Sequence, residues 1–367
     1  MLCSWFTWIA LSDGLRYKKG DVTMAVLGQK TGMDGLPRIM FAKSDSNWTP
    51  TITYEAYVWV FGAGGSGAAV GGTTSASATG GGAGATSVSR IMLNASSQYV
   101  VTIGDGGAIK TTSSTGVAGA AGGASSFVCS AESLSITANG GAAGATGSSA
   151  GATGAAGGAA GSTGNIANYA GGAAMSASAT EKATGGGSVG LWDTGNPGVV
   201  EGYGTANGDD YGEHAVGDGG SPFGSQGGGT YGETDLKYTY LTSVGGIPIA
   251  LSPFTDLFSM TNSNASGYAS SSLYTYGPTY YPSGAQAFTE WGDGYKRGSG
   301  YKTMQPASPF FGGNGIYNAE AAKTYTHAGD ATLGGGGGGC INDGSGHNSY
   351  SGRGGKGCVL IFPISMG

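Results

Sequence analysis

Three histidines stand in this chain, at positions 214, 327 and 347, and two have acidic neighbours. His214 closes the run Asp-Asp-Tyr-Gly-Glu-His with Asp209, Asp210 and Glu213, and His347 follows Asp343 in Asn-Asp-Gly-Ser-Gly-His. Imidazole beside carboxylate suits several divalent ions. Asp209, Asp210 and Asp218 offer the oxygen ligands that Ca²⁺ takes. The spacing matches no recognised metal site, so no metal is expected, and these histidines read as surface loop residues. Hydrolysis of a glycan would need a carboxylate pair. Asp256, Glu290 and Asp293 supply the residue type, but nothing in their spacing singles them out. No G-x-S-x-G elbow marks a serine nucleophile. No catalytic residue is assigned, and the chain is read as a non-enzyme.

Glycine-rich loops raise a second chemistry. Val58–Phe61 runs into Gly62-Ala63-Gly64-Gly65-Ser66-Gly67. A dinucleotide fingerprint needs a helix opening on the last glycine and an acid about 20 residues on. Here more Gly, Thr and Ser follow, and no acid appears before Asp105. No lysine follows the glycines, which excludes a P-loop. No cofactor is expected. The acidic balance, net charge −6 with 16 Lys and Arg, speaks against nucleic acid, since phosphates demand a basic patch.

The elements behind these residues are set by glycine, 78 of 367 residues. It recurs every third position in Gly116/Gly119/Gly122, Gly141/Gly144/Gly147, Gly151/Gly154/Gly157 and Gly158/Gly161/Gly164. A period of three fits neither an α-helix nor a strand. It fits polyproline II, with three residues per turn and no internal hydrogen bonds, where glycine lets neighbouring chains approach closely. The register changes between runs, so short packed segments joined by turns are expected, not one rod. Charged residues are only 10% of the chain, well below the roughly 25% of ordinary domains. An aromatic share of 10% supplies a core that disordered chains lack.

Short strands are legible at Val22–Leu27, Arg38–Phe41, Thr51–Phe61, Val88–Leu93, Gln98–Gly104, Ser133–Ala138 and Cys358–Ile364, where β-branched and aromatic residues gather. The turn Asn94–Ser97 predicts that Val88–Leu93 and Gln98–Gly104 form a hairpin. Asn139-Gly140-Gly141 predicts a tight turn. The apolar closing strand is expected to return beside the first. The fold class is therefore mostly irregular and β: a glycine-rich domain of short strands and packed polyproline-II-like segments, with little or no α-helix. No run of 18 apolar residues suggests a membrane-crossing helix. Cysteines 3, 129, 340 and 358 form no C-x-x-C pair. Cys340 and Cys358 could pair in an oxidising setting, or all four could stay as thiols.

Residues 1–50 carry dense charge and form an expected N-terminal attachment module, with Trp5, Phe6 and Trp8 docking on a partner. A signal peptide is the other reading of this apolar start, but it lacks a positive n-region and a clean cleavage site. Residues 51–367 form the expected glycine-rich domain, with an aromatic, loop-rich insertion at 201–330 and a closing segment at 334–367. Fourteen of twenty tyrosines lie between Tyr203 and Tyr325. Tyr274, Tyr276, Tyr280, Tyr281, Trp291, Asp293, Tyr295 and Tyr301 sit there among Gly, Pro and Ser. Tyr and Trp give large contact area for little entropy loss, the mixture that paratopes select. These are the candidate receptor-binding residues. The competing assignment, packing against the glycine segments, stays open.

The order VWVFGAGGSG (58–67), SVSRIMLNASSQYVVTIGDGG (87–107), GAAGGASSF (119–127), ITANGG (136–141) and GRGGKGCVLIFPI (352–364) resembles the glycine-rich domain of bacteriophage tail-fibre and adhesin proteins. The likeness covers roughly 56–145 and 334–364. It implies a virion location and a surface receptor of the bacterium (a glycan or an outer-membrane component) as partner. Residues 1–50 match no part of the family, and their binding to other tail proteins is expected from their charge and aromatic residues alone. It implies no enzymatic activity and leaves the oligomeric state open. A decoration or fibre-shaft protein without a receptor site is the main alternative. A secreted glycine-rich binding protein, such as an ice-binding one, is another.

Overall fold

The computed structural model describes residues 15–19, 22–26, 39–42, 45–72, 76–148, 150–178, 182–191, 193–198, 214–217, 219–220, 300–302, 310, 312–313, 315–318, 325–331, 333–342 and 346–366. The helical element among them is one 3-10 turn, Ser130–Glu132.

Two sheets pack face to face at one end. The larger has seven strands, in the spatial order Leu15–Lys19, Val22–Val26, Ile39–Phe41, Cys358–Met366, Tyr54–Phe61, Thr86–Leu93 and Ala167–Tyr169. The smaller has four: Leu134–Ala138, Ser125–Cys129, Tyr99–Thr102 and Ser46–Trp48. The closing strand lies antiparallel to the first, from Cys358 opposite Phe61 to Met366 opposite Tyr54, with an irregularity between Pro363 and Ser365. That return is the expected one. Alternation sends Ala56, Val58, Val60, Val359 and Ile361 to the face shared with the four-stranded sheet. There they meet Trp48, Tyr99, Val101, Phe127 and Ile136. The Tyr99 and Phe127 rings stack at 4.9 Å, and Trp48 lies 5.8 Å from Tyr99. The opposite face sends Trp59, Phe61, Val88 and Leu360 against Val189, Leu191, Phe310 and Leu333.

Beyond the sandwich the strands run on as extended segments that belong to neither sheet. Residues 62–68 show how these are held. Their N–H groups donate over 2.8 to 3.1 Å to three neighbours in rotation. Gly62, Gly65 and Ala68 reach Ala85, Gly82 and Thr79; Ala63 and Ser66 reach Gly123 and Ala120; Gly64 and Gly67 reach Gly355 and Gly352. A partner that recurs at every third donor is the signature of three residues per turn, so the segment is polyproline-II-like. Their carbonyls accept from three further neighbours: from Gly141 and Gly144, from Gly337 and Cys340, and from Gly107. One segment is thus ringed by six. The backbone groups that such a helix cannot pair internally are paired laterally, which is what burial requires of them.

This lateral bonding explains the glycine period. A Cβ on Gly62 or Gly65 would collide with the carbonyls of Asn139 and Ala142, and one on Gly64 or Gly67 with those of Gly335 and Gly338. The third position of each turn has room, and Ala63 and Ser66 occupy it. The Ser66 hydroxyl accepts from Ala120 N–H at 2.8 Å. The same pattern extends through 79–85, 139–145, 155–158, 170–174, 184–190 and 334–340.

Four expectations are corrected. Thr86–Leu93 and Tyr99–Thr102 are not a hairpin but belong to different sheets, because both apolar sides are buried only when Asn94–Ser97 arches across the sandwich. Asn139–Gly141 is not a tight turn; Asn139 O accepts from Ala85 N–H, and the chain continues straight into the lattice. The module boundary at residue 50 falls inside the sandwich, since Ile39–Phe41 pairs with the closing strand and Ser46–Trp48 with Tyr99–Val101. The insertion is narrower than 201–330, because Gly219–Gly220 and Gly312–Gly313 hydrogen-bond within the lattice and Gly315–Asn318 within a sheet.

Candidate functional site

At the end of the lattice away from the sandwich, the segments resolve into two further four-stranded sheets. One runs His214–Gly217, Gly315–Asn318, Cys340–Asn342 and Ala69–Gly71. The other runs Thr111–Thr112, Asn348–Tyr350, Tyr325–His327 and Gly300–Lys302, the last three mutually parallel. Parallel strands normally need long crossovers and covered faces. Here the strands are two to four residues long, and Ala69–Gly71, Cys340–Asn342 and Asn348–Tyr350 are continuous with lattice segments that impose their spacing.

The register of the second sheet sets its side chains in rows. Tyr325 stands opposite Asn348, and His327 opposite Tyr350, which in turn faces Thr111. Thr326 and Ser349, one residue along, are fully buried. Alternation therefore points Thr326 and Ser349 inward and turns Tyr325, His327, Asn348 and Tyr350 toward the outer face. Asn348 and Thr111 are exposed there, and the three rings are half-buried. The His327 and Tyr350 rings lie nearly parallel, 11° apart with centroids at 5.7 Å. His327 Nδ1 is 2.6 Å from the Ala328 carbonyl, so it carries the proton and donates. Beneath the sheet, the Ser349 hydroxyl donates to Val70 O and the Cys340 thiol to Thr326 O. Burial pushes Cys340 up to about 12, which makes it an inert core thiol.

Two other features share this end. A cavity of about 550 Å³ is lined by Val70, Gly72, Ala76, Ser114, Thr115 and Thr146 among others. Lys182 lies with Nζ 4.5 Å from the Tyr317 ring centre and donates to its hydroxyl at 3.3 Å.

The structure places only part of the expected site. Tyr301 lies in the strand Gly300–Lys302. Tyr274, Tyr276, Tyr280, Tyr281, Trp291, Asp293 and Tyr295 lie outside the described residues, as do Trp5, Phe6 and Trp8. Asp209, Asp210, Asp218, Asp256 and Glu290 lie outside them too. Among the described residues no group of three or more His, Cys, Asp or Glu could hold a metal. Cys129, Cys340 and Cys358 are free and buried, so the possible Cys340–Cys358 bridge is not formed. The rows Tyr325/Asn348 and His327/Tyr350 were not legible in the sequence. Their only signal is the repeated pattern of polar or aromatic, small, aromatic in YTH and NSY, too short to separate from chance.

The chain matches the glycine-rich domain family over residues 42–362, and it belongs to that family. The match begins at Ala42 in the sandwich and ends at Phe362 in the closing strand, so it takes in the four-stranded sheet, the lattice and the larger sheet from Tyr54–Phe61 onward, while Leu15–Lys19, Val22–Val26 and Ile39–Phe41 precede it. No curated protein matches the chain.

Proposed function

We propose that this member of the glycine-rich domain family is a bacteriophage virion protein, a tail-fibre or tail-tip adhesin that binds a receptor on the bacterial surface without enzymatic action. The observation that carries the reading is how the scaffold flanks the aromatic segment. Gly219–Gly220 is bonded into the lattice, and Gly300–Lys302 into the parallel sheet. The tyrosine-rich stretch between them is thus tethered at both ends to a body that is close-packed backbone. Binding residues gather on loops that a rigid scaffold positions. A lattice of glycine and alanine offers few distinctive side chains, so recognition falls to Tyr274, Tyr276, Tyr280, Tyr281, Trp291, Asp293, Tyr295 and Tyr301. Residues near the N-terminus, with Trp5, Phe6 and Trp8, are the proposed mount on neighbouring tail proteins.

The test is immunogold labelling of purified particles, paired with adsorption of the isolated full chain to receptive cells. Label at a fibre or tail tip together with saturable cell binding supports the adhesin. Label along a shaft or capsid with no cell binding supports the structural reading in its place.

A further inference from the structure

We infer that the outer face of the parallel sheet, carried by Tyr325, His327, Asn348 and Tyr350, is a second contact platform that takes a neutral sugar ring of the bacterial surface. This inference rests on the adhesin reading and gives its ligand a chemical class.

Three observations converge on it. The stacked His327 and Tyr350 rings and the Tyr325 ring stand in adjacent rows, about 7 Å apart along strands that rise roughly 3.3 Å per residue. Asn348 stands exposed opposite Tyr325, two residues before Tyr350 on the same strand, and its amide both donates and accepts. A pyranose presents the matching chemistry, a C–H face for aromatic rings and hydroxyls for an amide and for Thr111 at the rim.

The face is also fixed before any ligand arrives. It is backed by fully buried Thr326 and Ser349, and Ser349 is hydrogen-bonded to the lattice at Val70. A preorganised face loses little entropy on binding. Other occupants fit less well. Among the described residues the face holds no carboxylate and none of the exposed large aliphatic residues, Ile52, Met92, Val100, Val117, Ile166 and Met175, that would mark a protein-docking patch. Its one cationic register position is Lys302, opposite His327 in the edge strand. The edge strand Gly300–Lys302, which pairs with Tyr325–His327, follows the aromatic segment directly in the chain.

The experiment applies the purified full-length chain and its Asn348→Ala and Tyr350→Ala variants to a printed array of bacterial surface saccharides, neutral and acidic, and in parallel to receptive cells. The expected result is binding to neutral glycans that falls at least tenfold in both variants while melting temperatures stay unchanged. Asn348 is exposed, so its variant reports even where Tyr350→Ala unfolds. Cell binding by the parent chain with undiminished array binding by Asn348→Ala overturns the platform alone. Binding only to acidic glycans, or to none while cells are bound, overturns the neutral-sugar assignment. A folded parent chain that binds no receptive cells overturns the adhesin reading itself.

Discussion

Gly67 and Gly338 meet backbone to backbone: a Cβ built on Gly67 falls far inside the 3.0 Å from the Gly338 carbonyl oxygen that real Cβ atoms essentially never breach. Contacts of this kind recur at two of every three positions along the central segment. They turn a composition that reads as low complexity into a specification of one packing.

The first prediction contrasts two glycines. Gly67→Ala must push apart two backbones that have no flexible side chain to yield, and Gly144 and Gly154 face backbone carbonyls in the same way. Each alanine variant is expected to cost more than about 4 kcal/mol, at the exceptional end for single substitutions. Gly161 differs, because its nearest neighbour to a new Cβ is Thr137 O at 3.4 Å, an ordinary contact. Gly161→Ala is expected to be neutral, or to stabilise by about 0.4–1 kcal/mol through the unfolded chain. Denaturant titration of the variants decides. Equal tolerance at Gly67 and Gly161 would contradict the lattice.

A second prediction concerns the arch between the sheets. Tyr99 OH donates to Glu132 Oε2 at 3.0 Å and accepts from Asn94 N–H at 2.9 Å, while Asn94 Nδ2 donates to Glu132 Oε1 at 2.7 Å. Tyr99→Phe leaves the Asn94 N–H unsatisfied, at a cost of about 1–3 kcal/mol. Phe at position 99 keeps the stack on Phe127, so loss of the hydroxyl is isolated from loss of packing.

The same cluster gives a pH dependence. Burial alone would raise the Glu132 carboxyl, but hydrogen bonds from Ser97, Asn94 and Tyr99 outweigh it and hold the group below its usual range. A depressed folded value means the stabilisation is complete above the unfolded pKa, roughly 4.3. It is lost as pH falls through the folded value. Glu132→Gln should therefore flatten the acid limb of the stability curve below about pH 4.3 and leave the neutral region parallel to the parent. Thermal melts across pH 2.5–7 read this directly; an unchanged acid limb contradicts it.

The buried thiols give a fourth prediction. Burial raises both Cys340, to about 12, and Cys358, so neither is ionised at pH 8. Alkylation of the native chain with iodoacetamide should leave the peptides carrying both cysteines unmodified, and denaturant should expose both. Rapid native labelling at Cys358 would place the closing strand elsewhere than against Tyr54–Phe61.

Much of this architecture was legible in the sequence, for physical reasons. The strands Tyr54–Phe61, Thr86–Leu93 and Cys358–Met366 announce themselves because β-branched and aromatic residues crowd into a nearly charge-free background. The lattice announces itself through its period, since close approach of backbones at two positions in three leaves only glycine there. What was illegible is partner choice. Asn94–Ser97 looks the same whether it turns back within a sheet or arches between two, and only the shared burial of Tyr99 and Val101 against Val58 and Val60 decides. Phe41 and Trp48 looked like part of a separate module because the charges around them are dense, yet their rings fill the sandwich core. The outer face of Tyr325, His327, Asn348 and Tyr350 was hidden for another reason. Three-residue strands gain their alternation from the lattice that holds them, not from their own pattern.

The most direct test of the central claim, an adhesin whose aromatic segment recognises a receptor from a rigid glycine lattice, is competition for adsorption. Purified full-length chain is added to receptive cells before particles, and the adsorption rate is measured for the parent and for Tyr280→Ala/Tyr281→Ala/Trp291→Ala. The account predicts that the parent blocks adsorption in a saturable way, largely independent of salt because stacking and not charge steers the contact. The triple variant should fail to block while keeping the parent's melting temperature. A folded parent chain that leaves adsorption unchanged, or a folded triple variant that blocks as well as the parent, would contradict it.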